Sequence, residues 1–553
     1  MPKSPRPLCI LAISFCLAQH TWATFDPREA TVASTHHSLY TGLATCREVV
    51  SSFLARIEAL NNCTNAIISL NPDALAEADA YDEELLANNA TLGPLFCVPT
   101  LLKDNYDTAD LPTTGGNLDL ANSRPSVDAP AVAALKKAGA IILGKSNLHE
   151  LALEGLSVSS LGGQTVNPYD STRTPGGSSG GTGAAVAASF AVWGTGTDTV
   201  NSLRSPASAN SLFSCRPTRG LITRSGVIPI SYTQDVIGPI ARCVEDVATA
   251  LTVMASVGYD SMDNATALVP PSSRGLDYTT ELTKGSLKGL RLGLLEGFMN
   301  MTNSSETTPV NGAMANITSR LRRAGATIVP IKDNLYNATA LAVFDTQRYE
   351  YREEMDSYLQ RSSLGGRHPQ TLNELYNSSR FLVIPSQYEY VTTALVSSTG
   401  NQTWNSHLSY SDVQRGIANL TLALRSTFAA NNLDAMIYPE QKNLVVPIGS
   451  PSQSGRNGIL AALTGSPVVT IPVGFSPATA TAPEGVPIGM EILGLPWSEE
   501  TLLQTAYQVE QMGRVRKTPT WATQVLETRM YQEVPVVKPN TGNIPLQYPI
   551  GIL

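Results

Sequence analysis

The sequence has little histidine, no long apolar run and no cluster of basic residues. Only six histidines occur among its 553 residues, and none is spaced with cysteine as zinc ligands usually are. No stretch is apolar over enough residues to cross a membrane. The net charge of −8 is spread along the chain, whereas nucleic-acid-binding proteins usually show a basic patch. We therefore expect no metal, no membrane span and no nucleic-acid partner.

The N-terminus has the pattern of a secretory signal peptide. Two basic residues precede an apolar core over residues 8–18, and small residues follow it as far as Ala23. A basic, an apolar and a small-residue segment in this order are typical of a cleaved signal. We therefore predict a signal peptide over residues 1–23 and a mature chain over 24–553. The alternative is an uncleaved apolar helix at the N-terminus.

Ten sequons for N-glycosylation support the same interpretation. One Asn-x-Ser/Thr is a weak signal, but ten of them, none between Asn105 and Asp263, indicate a glycosylated surface that spares one central region. Together with the signal peptide they predict a secreted protein or one in the lumen of the secretory pathway. The predicted acceptors are Asn62, Asn89, Asn264, Asn300, Asn303, Asn316, Asn337, Asn377, Asn401 and Asn419.

Cysteine is scarce as well. Of the seven cysteines, five follow the predicted signal, and this odd number leaves at least one free or paired with another chain. Cys46 and Cys63 flank a predicted helix, which would hold their Cα atoms more than about 20 Å apart. We expect most of the five to be buried as small apolar residues, and their pairing stays open. They are Cys46, Cys63, Cys97, Cys215 and Cys243.

Short predicted strands alternate with predicted helices, which favours an α/β fold. Length alone favours two domains. Apolar spacing and turn residues predict helices over 46–60, 73–87, 130–138, 244–257, 310–324 and 497–512. They predict strands over 95–102, 141–143, 290–295, 327–331, 435–439, 467–474 and 486–493, and residues 221–230 alternate like a pair of short strands.

One stretch, residues 174–204, differs from the rest of the chain. Its glycine–serine run, 176–181, leads directly into an alanine-rich segment, which fits either a flexible linker or a functional loop. A serine nucleophile needs a base within reach, and a lysine serves as one when burial keeps it neutral. Lys103 ends the apolar run 95–102, where such burial is expected. The alternative is a lysine at a strand end that faces water.

Three motifs follow one another along the chain: Lys103-Asp104-Asn105, the run 176–181 and the segment 196–204, GTDTVNSLR. In this order they resemble the amidase signature family, serine hydrolases that use a serine, a second serine after a cis peptide and a lysine. Segments between about residues 40 and 515 also resemble the family, among them 111–115, 216–220, 235–239, 464–474 and 487–494. With the predicted secretion, the resemblance indicates a secreted member of fungal type.

The resemblance implies one large α/β domain, in which helices cover both faces of a mixed β-sheet. The signature core would span about residues 95–250, and the less similar region of about 260–440 would form most of the substrate pocket. The implied activity is hydrolysis of a small-molecule amide, with neither a metal nor an organic cofactor. The oligomeric state stays open.

Carried over residue by residue, the resemblance implies that Ser202 is the nucleophile, Ser178 the bridging serine and Lys103 the base. Cleavage of a carboxamide C–N bond would proceed through an acyl-enzyme on Ser202. Main-chain N–H groups would bind the tetrahedral oxyanion, and two further residues would support the loops by hydrogen bonds. The implied oxyanion-binding residues are Thr199, Val200, Asn201 and Ser202, and the implied supporting residues are Ser179 and Arg204.

The pair Val200-Asn201 departs from the family, whose members have Gly-Gly before the nucleophile. Any residue except proline keeps the N–H donors, but a β-branched valine resists the left-handed backbone that glycine adopts. Side chains here would also narrow the acyl pocket. A catalytically silent, glycosylated binding protein is therefore the alternative to a secreted amide hydrolase. Ester cleavage also stays open, whereas a role in delivering ammonia to an aminoacyl-tRNA fits poorly with a signal peptide and ten sequons.

Overall fold

One mixed β-sheet of eleven strands runs through the chain in the computed structural model. The structure describes residues 25–87, 92–400, 408–527 and 529–553. The predicted signal peptide and the sequon residues Asn89 and Asn401 lie outside the described residues.

The described ranges form fifteen β-strands. They are β1 (Ile67–Leu70), β2 (Val98–Lys103), β3 (Asn122–Pro125), β4 (Ala140–Ser146), β5 (Val158–Ser159), β6 (Gly163–Gln164), β7 (Trp193–Asp198), β8 (Phe213–Arg216), β9 (Val236–Ala241), β10 (Arg291–Leu295), β11 (Thr327–Ile331), β12 (Leu364–Arg367), β13 (Ala435–Pro439), β14 (Val468–Phe475) and β15 (Pro487–Leu493).

The same ranges form fifteen α-helices. None of these described helices combines the length and the apolar character that crossing a bilayer requires. They are α1 (Val32–Tyr40), α2 (Cys46–Leu60), α3 (Ala74–Leu86), α4 (Pro130–Lys137), α5 (Gly180–Ala187), α6 (Arg204–Ala209), α7 (Val244–Ala255), α8 (Thr308–Arg323), α9 (Ala338–Leu341), α10 (Gln347–Gln360), α11 (Leu372–Tyr376), α12 (Tyr388–Val396), α13 (Tyr410–Asn431), α14 (Ile459–Thr464) and α15 (Glu499–Gln511).

The large sheet has the strand order β1-β4-β2-β7-β9-β8-β14-β15-β13-β10-β11. Pairing is parallel along β4, β2 and β7 and along β13, β10 and β11, and antiparallel between the other neighbours. The remaining strands form two small sheets, β3 with β12 and β5 with β6. Because one continuous sheet connects both halves of the chain, the fold is a single α/β domain and not the two domains that length alone favours.

Helices cover both faces of this sheet, as the resemblance implies. Every residue of β2, β4, β7, β9 and β15 is buried. Successive side chains of a strand point to opposite faces, so complete burial requires cover on both sides. Among the covering helices, α5 packs on β2 and β7, α6 on β14 and β15, and α15 on β14.

Most predicted elements are confirmed. The helix over 46–60 and the strands over 327–331 and 435–439 have the predicted bounds, and the other elements agree within three residues. The pair of strands predicted over 221–230 is wrong. Ile228 N donates to Asn105 O, and Asp107 N donates to Gly226 O, so this segment lies as a loop against the residues that follow β2.

A match to a phosphate-binding sequence pattern turns out to be a strand. Residues 139–146 fit the pattern GxxxxGKS, but residues 140–146 form β4. Lys145 Nζ is buried and donates to the main-chain oxygens of Tyr106 and Pro112, at 2.7 and 3.0 Å. The segment therefore offers no glycine-rich loop around which a phosphate could bind.

Cys46 and Cys97 form a disulfide, with their Cα atoms 5.7 Å apart. The bond joins the first residue of α2 to the residue that precedes β2. The expectation that most cysteines are isolated apolar residues is therefore wrong for this pair, which meets only because α2 packs against β2. The other three cysteines are free: Cys63 is exposed, Cys243 half-buried and Cys215 buried.

Replacing both Cys46 and Cys97 by alanine should lower the free energy of unfolding by about 4 kcal/mol, because a disulfide restricts the unfolded chain. The bond spans a sequence separation of 51 residues. The measurement is the midpoint of urea unfolding. Cys63→Ala, which removes an exposed free thiol, should keep the wild-type midpoint. An unchanged midpoint in the double variant would contradict the prediction.

Candidate active site

Lys103 is the last residue of β2, and its side chain is fully buried. An apolar strand in the interior of the sheet carries this lysine into the core. Because β7 runs parallel to β2, the C-terminal ends of both strands meet and bring Thr197 beside Lys103. Lys103 Nζ lies 2.7 Å from Ser178 Oγ and 2.7 Å from Thr197 Oγ1. Both partners of the ammonium group are therefore neutral hydroxyls.

The environment of Lys103 favours its uncharged form. Burial lowers the pKa of Lys103 to about 7, although the charges of Asp198 and Asp235 act in the opposite direction. No carboxylate in the described part of the chain forms an ion pair with its Nζ. A lysine with this pKa exchanges protons near neutral pH and can act as a base.

The glycine–serine run is a buried, ordered loop and not a flexible linker. All six residues of 176–181 are buried. Gly176 has a φ of 69°, and a Cβ there would lie 2.7 Å from Ser205 Oγ. A Cβ on Gly181 would lie 2.1 Å from Asn147 O. Glycine is thus required where this loop packs against its neighbours. The peptide bond between Gly177 and Ser178 is cis.

Ser179 ties this loop to the end of β7. Its Oγ accepts from Thr197 N at 3.3 Å and donates to Thr197 O at 3.3 Å. Thr197 is also the residue whose hydroxyl lies beside Lys103. Ser179 therefore fixes the position of Ser178 relative to the lysine without contacting the lysine itself.

Ser202 lies in the loop between β7 and α6 and is the most accessible of the three predicted triad residues. It is 8% exposed, whereas Lys103 and Ser178 are fully buried. It lines a cavity of about 510 Å³. Within the described residues its Oγ makes no hydrogen bond. The structure thus brings Lys103 and Ser178 into contact and places Ser202 at the cavity, on the adjacent loop.

The main-chain N–H groups of residues 199–202 are free of acceptors in the described part of the chain. Two main-chain bonds between this loop and α6 use a carbonyl instead, since Asn201 O accepts from Arg204 N at 3.0 Å and from Ser205 N at 2.8 Å. Unpaired N–H groups beside a cavity can bind a negatively charged oxygen. The four residues concerned are Thr199, Val200, Asn201 and Ser202, and all four line the cavity.

Val200 and Asn201 fit the loop without left-handed backbone. Neither is among the residues with positive φ, so the conformation does not require the family's Gly-Gly. Room for the larger residues comes from Gly458, where a Cβ would lie 2.4 Å from Asn201 Cβ and 2.3 Å from Val200 O. The departure from the family pattern therefore requires no left-handed backbone at either residue.

Arg204 holds the loop of residues 199–202 as part of a buried ion-pair network. It contacts Asp198 at 3.0 Å and Glu491 at 2.8 Å, and it also donates to Val200 O. Arg216 contacts the same Asp198 at 2.6 Å. Burial alone would raise the pKa of Asp198, but Arg204 and Arg216 hold it at about 2. The aspartate is thus a stable anion that fixes both arginines.

Three further residues belong to the site and were not singled out from the sequence. Thr197 contacts Lys103 and also accepts from Asn105 Nδ2 at 3.2 Å. Asp235 Oδ1 accepts from Thr199 Oγ1 at 2.6 Å, and Glu440 Oε1 accepts from Asn201 Nδ2 at 2.9 Å. Thr197 and Asp235 lie within recognisable motifs, which was a usable signal. Glu440 lies in no such motif.

The cavity at Ser202 is lined by groups that can bind a polar substrate. Arg456 pairs with the buried Glu154 at 2.8 Å, and Gln387 Nε2 donates to the same carboxylate at 2.8 Å. Asp345 and Lys442 also line it. A second cavity of about 480 Å³ reaches Thr197 and shares Thr199 with the first. The candidate reaction centre thus lies between two cavities.

Comparison with known proteins gives consistent matches along most of the chain. The "Probable amidase" of Arabidopsis thaliana is 32% identical over 512 residues, which cover 90% of this chain and 92% of that protein. A glutamyl-tRNA(Gln) amidotransferase subunit from Alkalilimnicola ehrlichii is 33% identical over 512 residues, with 88% and 97% covered. The structure of a peptide amidase from Stenotrophomonas maltophilia is similar with a TM-score of 0.76 and 33% identity, and covers 89% of this chain and 98% of its own.

The family model described as Amidase matches residues 48–503. This match contains both candidate catalytic loops, the lysine of β2 and most of the sheet. By this match and by relatives above 30% identity over nearly their whole length, the chain belongs to the amidase family.

Proposed function

We propose that this protein hydrolyses carboxamide C–N bonds through an acyl-enzyme on Ser202, with Ser178 and Lys103 as its proton relay. The observation that carries the proposal is the buried Lys103, which contacts Ser178 Oγ at 2.7 Å and has no ion-pair partner in the described chain. A buried lysine without a counter-ion lowers the stability of the fold. Its use as a catalytic base would explain why it is buried there.

The chemistry follows from the positions of these groups. Neutral Lys103 takes a proton from Ser178 Oγ, which takes one from Ser202 Oγ as that oxygen attacks the amide carbon. The transfer requires Ser202 Oγ to approach Ser178 Oγ when substrate is bound, and catalytic hydrogen bonds commonly tighten in such complexes. Collapse of the tetrahedral intermediate breaks the C–N bond, and Ser178 protonates the departing amine. Water then cleaves the acyl-enzyme by the reverse relay.

The free N–H groups of residues 199–202 would stabilise the oxyanion of the tetrahedral intermediate. Removing one such donor typically costs about 3 kcal/mol of transition-state stabilisation. Neither Val200 nor Asn201 has the left-handed backbone that a valine resists, which supports an active site over the alternative of a catalytically silent binding protein.

The proposed substrates are amides with a polar, peptide-like acyl group. Glu154, Arg456 and Gln387 present charged and amide groups along the cavity. A long alkyl chain would displace water from these polar groups without replacing its hydrogen bonds, which costs binding energy. The similarity to a peptide amidase points in the same direction.

The second candidate function is a part in an amidotransferase, because a glutamyl-tRNA(Gln) amidotransferase subunit from Alkalilimnicola ehrlichii is 33% identical to this chain. The disulfide and the sequons favour the hydrolase. A disulfide persists mainly in oxidising compartments, and an assembly with tRNA would act in a reducing one.

The same features support the proposal that the protein is secreted. The disulfide Cys46–Cys97 agrees with the predicted signal peptide. Of the eight sequon asparagines that the structure describes, seven are exposed and Asn300 is half-buried, so all eight are accessible to glycosylation. The fungal type remains a prediction, since the relatives named above are plant and bacterial.

Ser202→Ala should abolish covalent labelling by a fluorophosphonate probe and lower kcat by about 10⁴-fold or more, because it removes the attacking oxygen. Gel fluorescence and turnover of a dipeptide amide and of oleamide provide the measurements. Ser426→Ala, an exposed serine on α13, should behave as wild type. Absence of labelling in folded wild type would refute the hydrolase, and faster turnover of oleamide would refute the polar acyl class.

Lys103→Met should lower kcat by about 10²- to 10⁴-fold, the usual contribution of a general base. Wild-type kcat/KM should rise with pH through about 7, because the neutral lysine is the active form and its pKa is lowered to that value. The variant should lose this step in the pH–rate profile. A variant that keeps the step would show that another group titrates.

The same substitution should raise stability. The folded pKa of Lys103 is about 7, against the ordinary 10.5, so between these values the unfolded chain binds a proton that the folded protein does not. The amount by which Lys103 lowers the free energy of unfolding is therefore largest below about pH 7. It decreases toward zero as the pH approaches 10.5. Urea unfolding of both proteins at several pH values should show a stability difference that narrows as pH rises.

Expression in a eukaryotic secretory host should yield a glycosylated protein in the medium that begins at residue 24. N-terminal sequencing and the loss of mass on treatment with an N-glycosidase measure both features. Removing residues 2–23 should retain the protein in the cell without glycans. Full-length protein that stays intracellular and unglycosylated would contradict the proposed location.

A further inference from the structure

Glu440 lies beside the loop of residues 199–202, although 239 positions separate it from Asn201. It directly follows β13 and is 1% exposed. Its main chain is held on both sides, because Glu440 N donates to Gly489 O at 3.1 Å and Glu440 O accepts from Asn457 N at 3.0 Å. The carboxyl group therefore projects from a fixed point of the sheet.

The side chain of Glu440 makes one hydrogen bond within the described chain, from Asn201 Nδ2 to Oε1 at 2.9 Å. None of the ion pairs in the described ranges includes it; its neighbour Glu491 takes the contact with Arg204 instead. Burial, together with the charge of Glu491, raises the pKa of Glu440 to about 8. Burying a carboxyl group on folding costs more free energy than burying an apolar side chain of the same size. The hydrogen bond from Asn201 offsets part of this cost.

Asn201 is held from two directions. Its side chain is fixed by Glu440, and its carbonyl accepts from Arg204 N and Ser205 N at the start of α6. Its own N–H group remains without an acceptor among the described residues and adjoins the cavity. Fixing the side chain and the carbonyl of one residue leaves its peptide planes little freedom to rotate.

We infer that Glu440 is a positioning residue that acts through Asn201 to hold the N–H groups of residues 199–202 toward the oxyanion. The inference rests on the proposed function. It also assigns a role to the departure from Gly-Gly, because a glycine at position 201 has no side chain with which to make this bond. Asn201 thus replaces the conformational freedom of glycine by an anchor on β13.

The test uses the full mature protein, four variants at Glu440 and Asn201, and one control variant. Glu440→Leu and Asn201→Ala each remove the bond, and the double variant removes both partners. Glu440→Gln keeps an acceptor oxygen at nearly the same place. Glu499→Gln is the matched control, since Glu499 is a buried carboxyl group that accepts from Thr218 N at 2.6 Å, outside the site.

The first measurement does not depend on activity. Hydrogen exchange of a peptide that contains Arg204 and Ser205 reports their bonds to Asn201 O. Exchange there should become faster in Glu440→Leu and Asn201→Ala and stay at the wild-type rate in Glu440→Gln and Glu499→Gln. Unchanged exchange in the first two variants would overturn the inference, whatever the activity of the protein.

The second measurement is the split between kcat and KM. Both bond-removing variants should lose about 10- to 100-fold in kcat and in the rate of fluorophosphonate labelling, with KM nearly unchanged, because small displacements of catalytic groups have effects of this size. The double variant should lose no more than either single variant, since both break one interaction. Glu440→Gln should retain most of kcat.

The outcomes separate the two proposals. Wild type that is never labelled at Ser202 refutes the proposed function, while the exchange measurement still decides whether Glu440 holds the loop. Labelled and active wild type with normal kcat in both Glu440→Leu and Asn201→Ala refutes the positioning role. A Glu440→Gln variant as impaired as Glu440→Leu also refutes it, because the acceptor oxygen would then be irrelevant.

Discussion

The burial of Lys103 without a counter-charge is the constraint on which the rest of the site depends. The core contains a second buried lysine, Lys145, and the comparison shows what differs. Lys145 has Asp104 at 3.8 Å and donates to two main-chain carbonyls. Among the described residues, Lys103 Nζ forms hydrogen bonds only with the hydroxyls of Ser178 and Thr197. Lys145 is held as part of the scaffold, whereas Lys103 is left free to exchange a proton.

Charges near Lys103 are kept from neutralising it by stronger partners of their own. Asp198, whose charge acts on the lysine, is bound by Arg204 and Arg216. Asp235, the other nearby carboxylate, accepts from Thr199 Oγ1 and from two main-chain N–H groups. The ion pairs of Asp198 and the hydrogen bonds of Asp235 therefore do more than fix loops. Because each carboxylate is bound by groups other than Lys103, the lysine contacts neutral hydroxyl groups instead.

The parts of this structure that sequence could predict are those with local signals. The apolar periodicity of α2 and the short apolar runs of β11 and β13 predict the first and last residue of each element correctly. The segment 221–230 has the alternation of strands, but its hydrogen-bond partners lie in the loop after β2, which no local pattern reveals. The match of residues 139–146 to a phosphate-loop pattern likewise carries no information about structure, since the pattern does not encode whether a glycine lies in a loop.

Contacts between distant segments could not be predicted from the sequence either. The motifs identify Lys103, Ser178 and Ser202 by resemblance, and the structure supplies the 2.7 Å contact between Lys103 Nζ and Ser178 Oγ. Cys97 gives no sign in the sequence that its partner is Cys46, and Glu440 lies in no motif although it contacts Asn201. The space for Val200 and Asn201 also depends on a distant residue, because a Cβ at Gly458 would lie 2.3 Å from Val200 O and 2.4 Å from Asn201 Cβ.

The long sequence separations around the 199–202 loop determine when the site becomes complete during synthesis. Arg204 and Glu491 are 287 residues apart, and Asn201 and Glu440 are 239 apart. A nascent chain made from its N-terminus at about 5–20 residues per second therefore exposes the serine and glycine loops well before β13 and β15 exist. The loop obtains its last two carboxylate anchors only when the end of the sheet docks. Only a nearly full-length chain can therefore adopt the complete geometry of the site. A product truncated before β13 would contain the catalytic residues but lack the two carboxylates that hold the loop.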